Sequence, residues 1–187
     1  KMSPGQEVAS SWAYLLTFLV PVVYYFNQYH EVSLDEFGLT LRRWPMQVAE
    51  GVTCAAFLTF LMIPLKTQFY AGDALFSFAK MQNYPPLLFW GFFALYLPHS
   101  FVQEFVARGL IQGSLHRFMA ESADWVPVVV AAFLFGIGHV HYSYGFAGLT
   151  FATSLLFGWL YLRHRSLLGV TLVHYLSGLS AMALGII

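Results

Sequence analysis

A glutamate and an arginine lie within one of the most apolar stretches of this chain. Residues 103–109 read QEFVARG, and in a helix Glu104 and Arg108 can pair because residues four apart share a face. A charge at bilayer depth costs about 2.5–3.5 kcal/mol on insertion scales, so such residues are usually paired and functional. The stretch is therefore a candidate reaction centre, although a structural ion pair that fixes helix register would give the same pattern.

Two histidines in other apolar segments are the candidate partners of this pair. His139 lies in FLFGIGHVHY, near the end of one predicted helix, and His174 lies in TLVHYLSGL, early in another. If these helices pack together, two imidazoles, a carboxylate and a guanidinium meet in one bundle. His141 follows His139 by two positions, roughly 200° around a helix, and is left out of the candidate site.

Residues that are missing exclude several intramembrane chemistries. An aspartyl protease needs two aspartates within spans, but Asp35, Asp73 and Asp124 all fall in predicted connections. No His-Glu-x-x-His helix supports a zinc protease, and residues 178–181 (GLSA) lack the final glycine of a rhomboid-type Gly-x-Ser-Gly motif. What remains is peptide hydrolysis by a carboxylate that acts as base on water, with histidines that orient the water or stabilise the oxyanion.

The composition indicates a membrane protein. Apolar residues make up 58% of the 187 residues and charged residues only 10%, against roughly 45–50% and 25% in soluble domains. This apolar composition makes the lipid bilayer an expected partner, and the formal net charge of zero at pH 7 gives no indication of nucleic acid as one. Cys54 is the only cysteine, which excludes an intrachain disulfide and a cysteine-based metal site.

The apolar segments predict an all-α, polytopic bundle of about six transmembrane spans in one integral membrane domain. The first run lacks a basic n-region and a cleavage site and is predicted to be retained. A short interfacial helix at residues 31–44 is predicted to begin with a capping box from Ser33 to Glu36. The long third segment is predicted to kink, or to divide in two, at Pro98. The predicted spans are residues 11–28, 47–65, 87–118, 125–141, 145–161 and 167–187.

Basic residues predict which ends of these spans share a side. With six alternating spans Lys1, Lys66 and Lys80 fall on one side, and the side with the arginines is predicted to be cytoplasmic. Three histidines near predicted helix ends are expected to be interfacial. The arginines that share a side are Arg42, Arg43, Arg117, Arg163 and Arg165, and the three histidines are His99, His116 and His164.

Polar motifs along the second half of the chain occur in a fixed order. They are Gln103-Glu104-x-x-x-Arg108-Gly109, Phe135-x-x-x-His139, Leu160-Tyr161-x-Arg163 and His174. Their order and spacing resemble the CAAX protease and bacteriocin-processing (CPBP, or Abi) family of intramembrane endopeptidases, over about residues 98–185. Residues 33–39 (SLDEFGL) are also similar to a segment of many members. The resemblance divides the chain into N-terminal membrane helices with an interfacial segment, residues 1–97, and a catalytic core, residues 98–187.

The resemblance implies a site open to the membrane and to one aqueous side, and hydrolysis of a membrane-associated peptide or protein in a bacterial or archaeal cell membrane. The matching polar residues are Glu104, Arg108, His139 and His174. In the family the first motif usually begins with two glutamates, and the first is taken to activate the hydrolytic water. Here that position is Gln103.

The third family motif usually ends in an asparagine that helps to bind the oxyanion, whereas this chain has Gly178. A glutamine cannot accept a proton from water near neutral pH, so Gln103 can orient a nucleophile and Glu104 is expected to be the base. Loss of an oxyanion donor costs about 100 to 1000-fold in rate. A slower protease is therefore expected, and the alternative is a pseudo-protease that keeps the peptide-binding groove as a membrane adaptor or chaperone.

Cofactors are not expected, but two hypotheses include one. Glu104, His139 and His174 together have the donor types of a two-histidine, one-carboxylate zinc site with an open position, and family members have been described both as metalloproteases and as metal-independent glutamate proteases. Alternatively, His139 and His174 are axial ligands of a haem or a chlorophyll-like pigment. The pigment hypothesis leaves the spacing of Glu104 and Arg108 unexplained.

Overall fold

Helices form nearly all of the structure in the computed structural model of this chain. It describes residues 6, 9, 12, 13, 16, 17, 19–21, 24, 33–69, 75, 76, 78, 84–119 and 123–186. The elements in order are a 3₁₀ helix Leu34–Phe37, α1 Trp44–Phe69, α2 Pro86–Glu104, a π-helix Phe105–Gln112, α3 Gly113–Phe118, α4 Trp125–Ile137, α5 Tyr144–His164 and α6 Leu167–Ala183. No strand occurs among these described residues, which confirms the predicted all-α class.

Among the residues that the structure describes, two helices, α1 and α5, are long and apolar enough to cross a membrane by length and composition. The helices α4 and α6 are apolar but shorter, with 13 and 17 residues, so the predicted number of six spans stays a prediction. On α1 the side chains of Phe57 and Phe60 are 58% and 69% exposed, a surface suited to lipid. The predicted span at residues 11–28 lies largely outside the described residues.

Of the two alternatives predicted at Pro98, a kink or a division, the division does not occur there; instead, the helix type changes seven residues later. α2 runs through Pro98 to Glu104, and residues 105–112 then form a π-helix before α3 begins. A proline removes one backbone donor, which a membrane helix can tolerate without ending. A π-turn inside a helix is rare and frequently marks a functional site, and here it follows directly on Glu104.

Within residues 31–44, which were predicted to form an interfacial helix and are described from residue 33 onwards, only Leu34–Phe37 is helical before α1 begins, as a 3₁₀ helix with the predicted capping box. The Ser33 N–H donates to the Glu36 carboxylate at 3.2 Å, and Arg117 donates to the same carboxylate at 2.8 Å. The backbone bond from Ser33, together with Arg117, lowers the pKa of Glu36. The carboxylate therefore stays ionised at neutral pH and anchors the segment to α3.

This segment is also packed against the π-helix and the start of α6. The Gly38 carbonyl accepts from the Leu167 N–H at 2.9 Å. The buried Phe37 ring lies 5.8 Å from the ring of Phe105. The π-helix passes so close that a Cβ added at Gly109 would lie 2.7 Å from the Phe37 carbonyl oxygen. The 3₁₀ segment thus packs against the outer side of the π-helix and holds it in place.

Two of the arginines that were predicted to share a side form ion pairs with glutamates of other elements. Arg163 bonds to one oxygen of Glu50 at 3.1 Å, and His164 Nε2 lies 2.7 Å from the other. Arg117 bonds to Glu36. We call the region that contains these ion pairs, formed by Glu36, Glu50, Arg117, Arg163 and His164, the arginine end. Its assignment to the cytoplasm stays a prediction.

Replacing Gly109 with alanine is expected to lower the free energy of unfolding by about 1–3 kcal/mol, the usual cost of overpacking, because the new methyl group would strike backbone rather than a mobile side chain. Gly91 is the matched control, since nothing lies within 4 Å of a Cβ there, and Gly91→Ala should change stability by less than about 1 kcal/mol. Denaturant unfolding of the purified protein measures both. Equal effects of the two substitutions would contradict the close approach of residues 37 and 109.

Candidate active site

Arg108 is fully buried, and acceptors surround its guanidinium. Its Nε donates to Glu104 at 3.0 Å, and its two terminal nitrogens donate to Gln112 at 3.3 Å and to Ser154 at 2.5 Å. The guanidinium also lies over the Phe135 ring, 5.8 Å from its centroid. A buried charge is tolerated when it is paired and hydrogen-bonded, and these contacts meet both conditions.

The π-helix and a glycine of α5 make room for this arginine. Gln112 lies one helical turn after Arg108, and its Nε2 donates to the Gly158 carbonyl at 3.0 Å. A Cβ at Gly158 would lie 3.0 Å from Gln112 Oε1 and 3.2 Å from an Arg108 terminal nitrogen. Glycine is therefore required where α5 crosses the π-helix.

Glu104 connects the arginine to a histidine of α6. Its side chain is fully buried, with Oε2 bonded to Arg108 and Oε1 2.7 Å from His174 Nδ1. Beside Arg108 the carboxylate is an acceptor, so His174 donates its Nδ1 proton and presents Nε2 as the nitrogen that can accept one. The bonds form one chain, Arg108–Glu104–His174, in which the glutamate fixes the tautomer of the histidine.

His174 lines a cavity of about 430 Å³, within the usual range for ligand sites. Of the five predicted site residues, Glu104 and Arg108 do not line this cavity and are buried in the core instead. Apolar and aromatic side chains form most of its wall. The polar or ionisable residues on it that bear on the site are Tyr96, His99, Gln103, His139 and His174.

His139 lies just beyond the end of α4, which stops at Ile137 rather than at the predicted residue 141. Its Nδ1 is 2.8 Å from the Phe135 carbonyl oxygen, so Nδ1 carries the proton and Nε2 is the acceptor. The Phe135 ring centroid is 4.8 Å from that of His139 and 5.8 Å from that of His174. Both imidazoles therefore flank one aromatic ring at the cavity wall.

Tyr96 and His99 were not predicted as site residues. Together with Gln103 they follow the spacing i, i+3, i+7, which places all three on one face of α2. His99 was expected to be interfacial, but it lines the cavity and stacks on Tyr96 with ring centroids 6.1 Å apart. The helical spacing before Gln103 is the sequence signal that would have found both.

The zinc hypothesis does not fit the hydrogen bonds of the site. Both oxygens of Glu104 are directed at N–H donors, one from Arg108 and one from His174, so neither is oriented towards a shared metal position. In the part of the chain that the structure describes, no group of three or more histidine, cysteine, aspartate or glutamate side chains is placed to hold a metal ion.

Ser154→Ala is expected to lower the free energy of unfolding by about 1–3 kcal/mol, because it leaves a buried Arg108 donor without its acceptor. Ser114 is the matched control, since its hydroxyl also accepts from an arginine, Arg117, but at 3.5 Å and at the surface. Ser114→Ala should change stability by less than about 0.5 kcal/mol. Thermal unfolding of both variants measures the difference, and an unchanged Ser154→Ala variant would show that Arg108 does not depend on this bond.

Comparison with known proteins identifies a family. The family model described as type II CAAX prenyl endopeptidase Rce1-like matches residues 85–179, about half of the chain. This range runs from the start of α2 into α6 and contains all the site residues named above. Neither a curated protein nor a solved structure matches the chain.

Proposed function

This chain belongs to the Rce1-like family of type II CAAX prenyl endopeptidases, and we propose that it is an intramembrane endopeptidase in which a histidine activates the hydrolytic water. The family is a protease family, which agrees with the resemblance drawn from the motifs. The observation that carries the proposal is the chain Arg108–Glu104–His174, which begins at a buried charge and ends at the cavity wall.

His174 is the general base in this proposal. Its Nε2 takes a proton from a water in the cavity while the water oxygen forms a bond to the carbonyl carbon of the substrate. The imidazolium that results is stabilised by the Glu104 carboxylate, which Arg108 keeps ionised. The sequence alone favoured Glu104 as base, but its complete burial and its absence from the cavity wall favour an orienting role.

The other cavity residues orient the water. His139 offers Nε2 as an acceptor for the second hydrogen of the water, and the Gln103 amide supplies a further polar contact without taking a proton. When the tetrahedral intermediate collapses, the carbon–nitrogen bond breaks and His174 Nε2 returns its proton to the leaving amine. The products are a carboxylate and an amine, and the remaining proton of the water passes to solvent.

The substrate that we propose is a lipidated or strongly apolar membrane peptide. The family's description names CAAX prenyl substrates, in which a prenylated cysteine precedes the cleaved residues. Aromatic and aliphatic side chains make up most of the cavity wall, which suits a prenyl chain or apolar residues next to the cleaved bond.

A second candidate function is favoured by Gln103, which leaves the cavity wall without a carboxylate among the described residues. In this reading the protein binds membrane-associated peptides as an adaptor or chaperone and does not cleave them. Peptide binding by the wild-type protein without any product would support it, and robust cleavage by the wild-type protein would dismiss it.

His174→Gln is expected to lower kcat by at least about 100-fold, the usual contribution of a general base. His164→Gln is the matched control, because His164 also pairs with a carboxylate at 2.7 Å, that of the partly exposed Glu50, but does so at the arginine end. The assay follows a peptide that ends in a prenylated C-a-a-X sequence, its unprenylated form and an apolar membrane-anchored peptide, with products identified by mass spectrometry. Full activity of the folded His174→Gln protein would rule out this mechanism.

Chelators are expected to leave the rate of cleavage unchanged, because the hydrogen bonds of Glu104 favour a reaction without a metal. The measurement compares purified protein before and after treatment with EDTA and 1,10-phenanthroline, together with its metal content and visible absorbance. Loss of activity on chelation and recovery with zinc would contradict the proposal. A haem or chlorophyll-like spectrum would support the pigment hypothesis instead.

A further inference from the structure

We infer that the Tyr96 hydroxyl is the oxyanion donor of this site, that is, the group that donates a hydrogen bond to the carbonyl oxygen of the substrate as negative charge develops on it. The inference rests on the proposed hydrolysis and adds a catalytic residue to it. Hydrolysis needs such a donor, and the residues assigned so far activate or orient the water.

The hydroxyl lies where a side chain at position 178 would otherwise be. A Cβ added at Gly178 would fall on the Tyr96 hydroxyl oxygen and would lie 2.7 Å from two carbons of its ring. Gly178 is one helical turn after His174, on the same face of α6. The absence of a side chain on α6 therefore lets a phenol from α2 enter the space beside the base.

Contacts on several sides fix the position of the Tyr96 ring. It meets the His174 ring edge-on with centroids 6.2 Å apart, and it stacks on Phe92 at 5.8 Å and on His99 at 6.1 Å. Tyr175 packs against it at 5.9 Å. A donor held in this way before the substrate arrives needs no reorganisation during the reaction, which is the condition under which such donors are most effective.

The chemistry requires only that Tyr96 keep its proton. The phenol donates a hydrogen bond to the oxygen that becomes negative when the water attacks, and no bond to Tyr96 is made or broken. Because both Tyr96 and His174 line the cavity, a carbonyl bound between them presents its carbon to the activated water and its oxygen to the hydroxyl. Tyr96 thus acts on the carbonyl and His174 on the water.

Tyr96→Phe removes the hydroxyl and keeps the ring. We expect kcat to fall about 100 to 1000-fold, the usual loss for one oxyanion donor, with KM changed less than about threefold because the ground-state carbonyl gains little from the bond. Tyr175→Phe is the matched control: its hydroxyl donates to the Phe93 carbonyl at 3.3 Å, and Tyr175 does not line the cavity. Wild-type kcat in the Tyr96→Phe variant would overturn the inference.

A binding measurement tests the same inference without turnover. In a phosphinate analogue of the prenylated peptide the scissile amide is replaced by a tetrahedral, negatively charged group. We expect the wild-type protein to bind this analogue at least about 10-fold more tightly than Tyr96→Phe does, and both proteins to bind the parent peptide equally. Equal affinity for the analogue, or no binding to either protein, would overturn the inference. Failure of the proposed function differs from both, because the wild-type protein would then cleave none of the probe peptides.

Moving the proposed donor from position 96 on α2 to position 178 on α6 tests the inference by rescue of activity. Gly178→Asn alone should lower activity, because the new side chain and the Tyr96 ring need the same space. Tyr96→Ala with Gly178→Asn removes that conflict and returns an amide donor from α6, so the double variant should exceed Tyr96→Ala at least about 10-fold in kcat. Full activity of Gly178→Asn, or no gain in the double variant, would overturn the inference.

Discussion

The burial of one guanidinium organises the polar core of this protein. Arg108 is removed from solvent completely, and an unpaired charge in such a place would cost several kcal/mol. Its three bonding partners come from α2, the π-helix and α5, so satisfying one side chain fixes the relative positions of three elements. Gly158 gives the space for this arrangement, and the 3₁₀ segment packs against the π-helix at Gly109.

The arginine also determines what the neighbouring residues can do. Glu104 is held by Arg108 on one oxygen and holds His174 with the other, while Gln103, the preceding residue, faces the cavity. Adjacent residues of a helix point about 100° apart, so one turn of α2 serves the buried charge pair and the cavity wall at once. A fixed histidine tautomer beside an open cavity is the result.

The sequence was sufficient to identify the charged residues and the two predicted histidines of the candidate site. Charges and imidazoles are so costly in apolar segments that Glu104, Arg108, His139 and His174 could be selected from their positions alone. Hydroxyls, amides and glycines carry no such signal, since they are common in apolar helices, and so Ser154, Gln112 and Gly158 were missed.

Two features of the site depend on packing that a sequence does not record. Packing against the neighbouring helices determines which side of α2 faces the cavity. For this reason Glu104 was expected to contact the hydrolytic water, and Tyr96 was not predicted as a site residue. The π-helix was not predicted either, because nothing in the pattern of residues 87–118 distinguishes a π-turn from an α-helical turn. The six-span count depends in part on residues that the structure does not describe.

The layer of side chains around Arg108 also acts as a partition. Glu104, Gln112 and Ser154 are, like the arginine, fully buried, and none of residues 105–112 lines the cavity. This packed layer separates the cavity from the arginine end of the bundle. In the proposed reaction, substrate entry and product exit would then take place on the same side of this layer, so a cleaved chain would have to leave the entrance before the next one could reach His174.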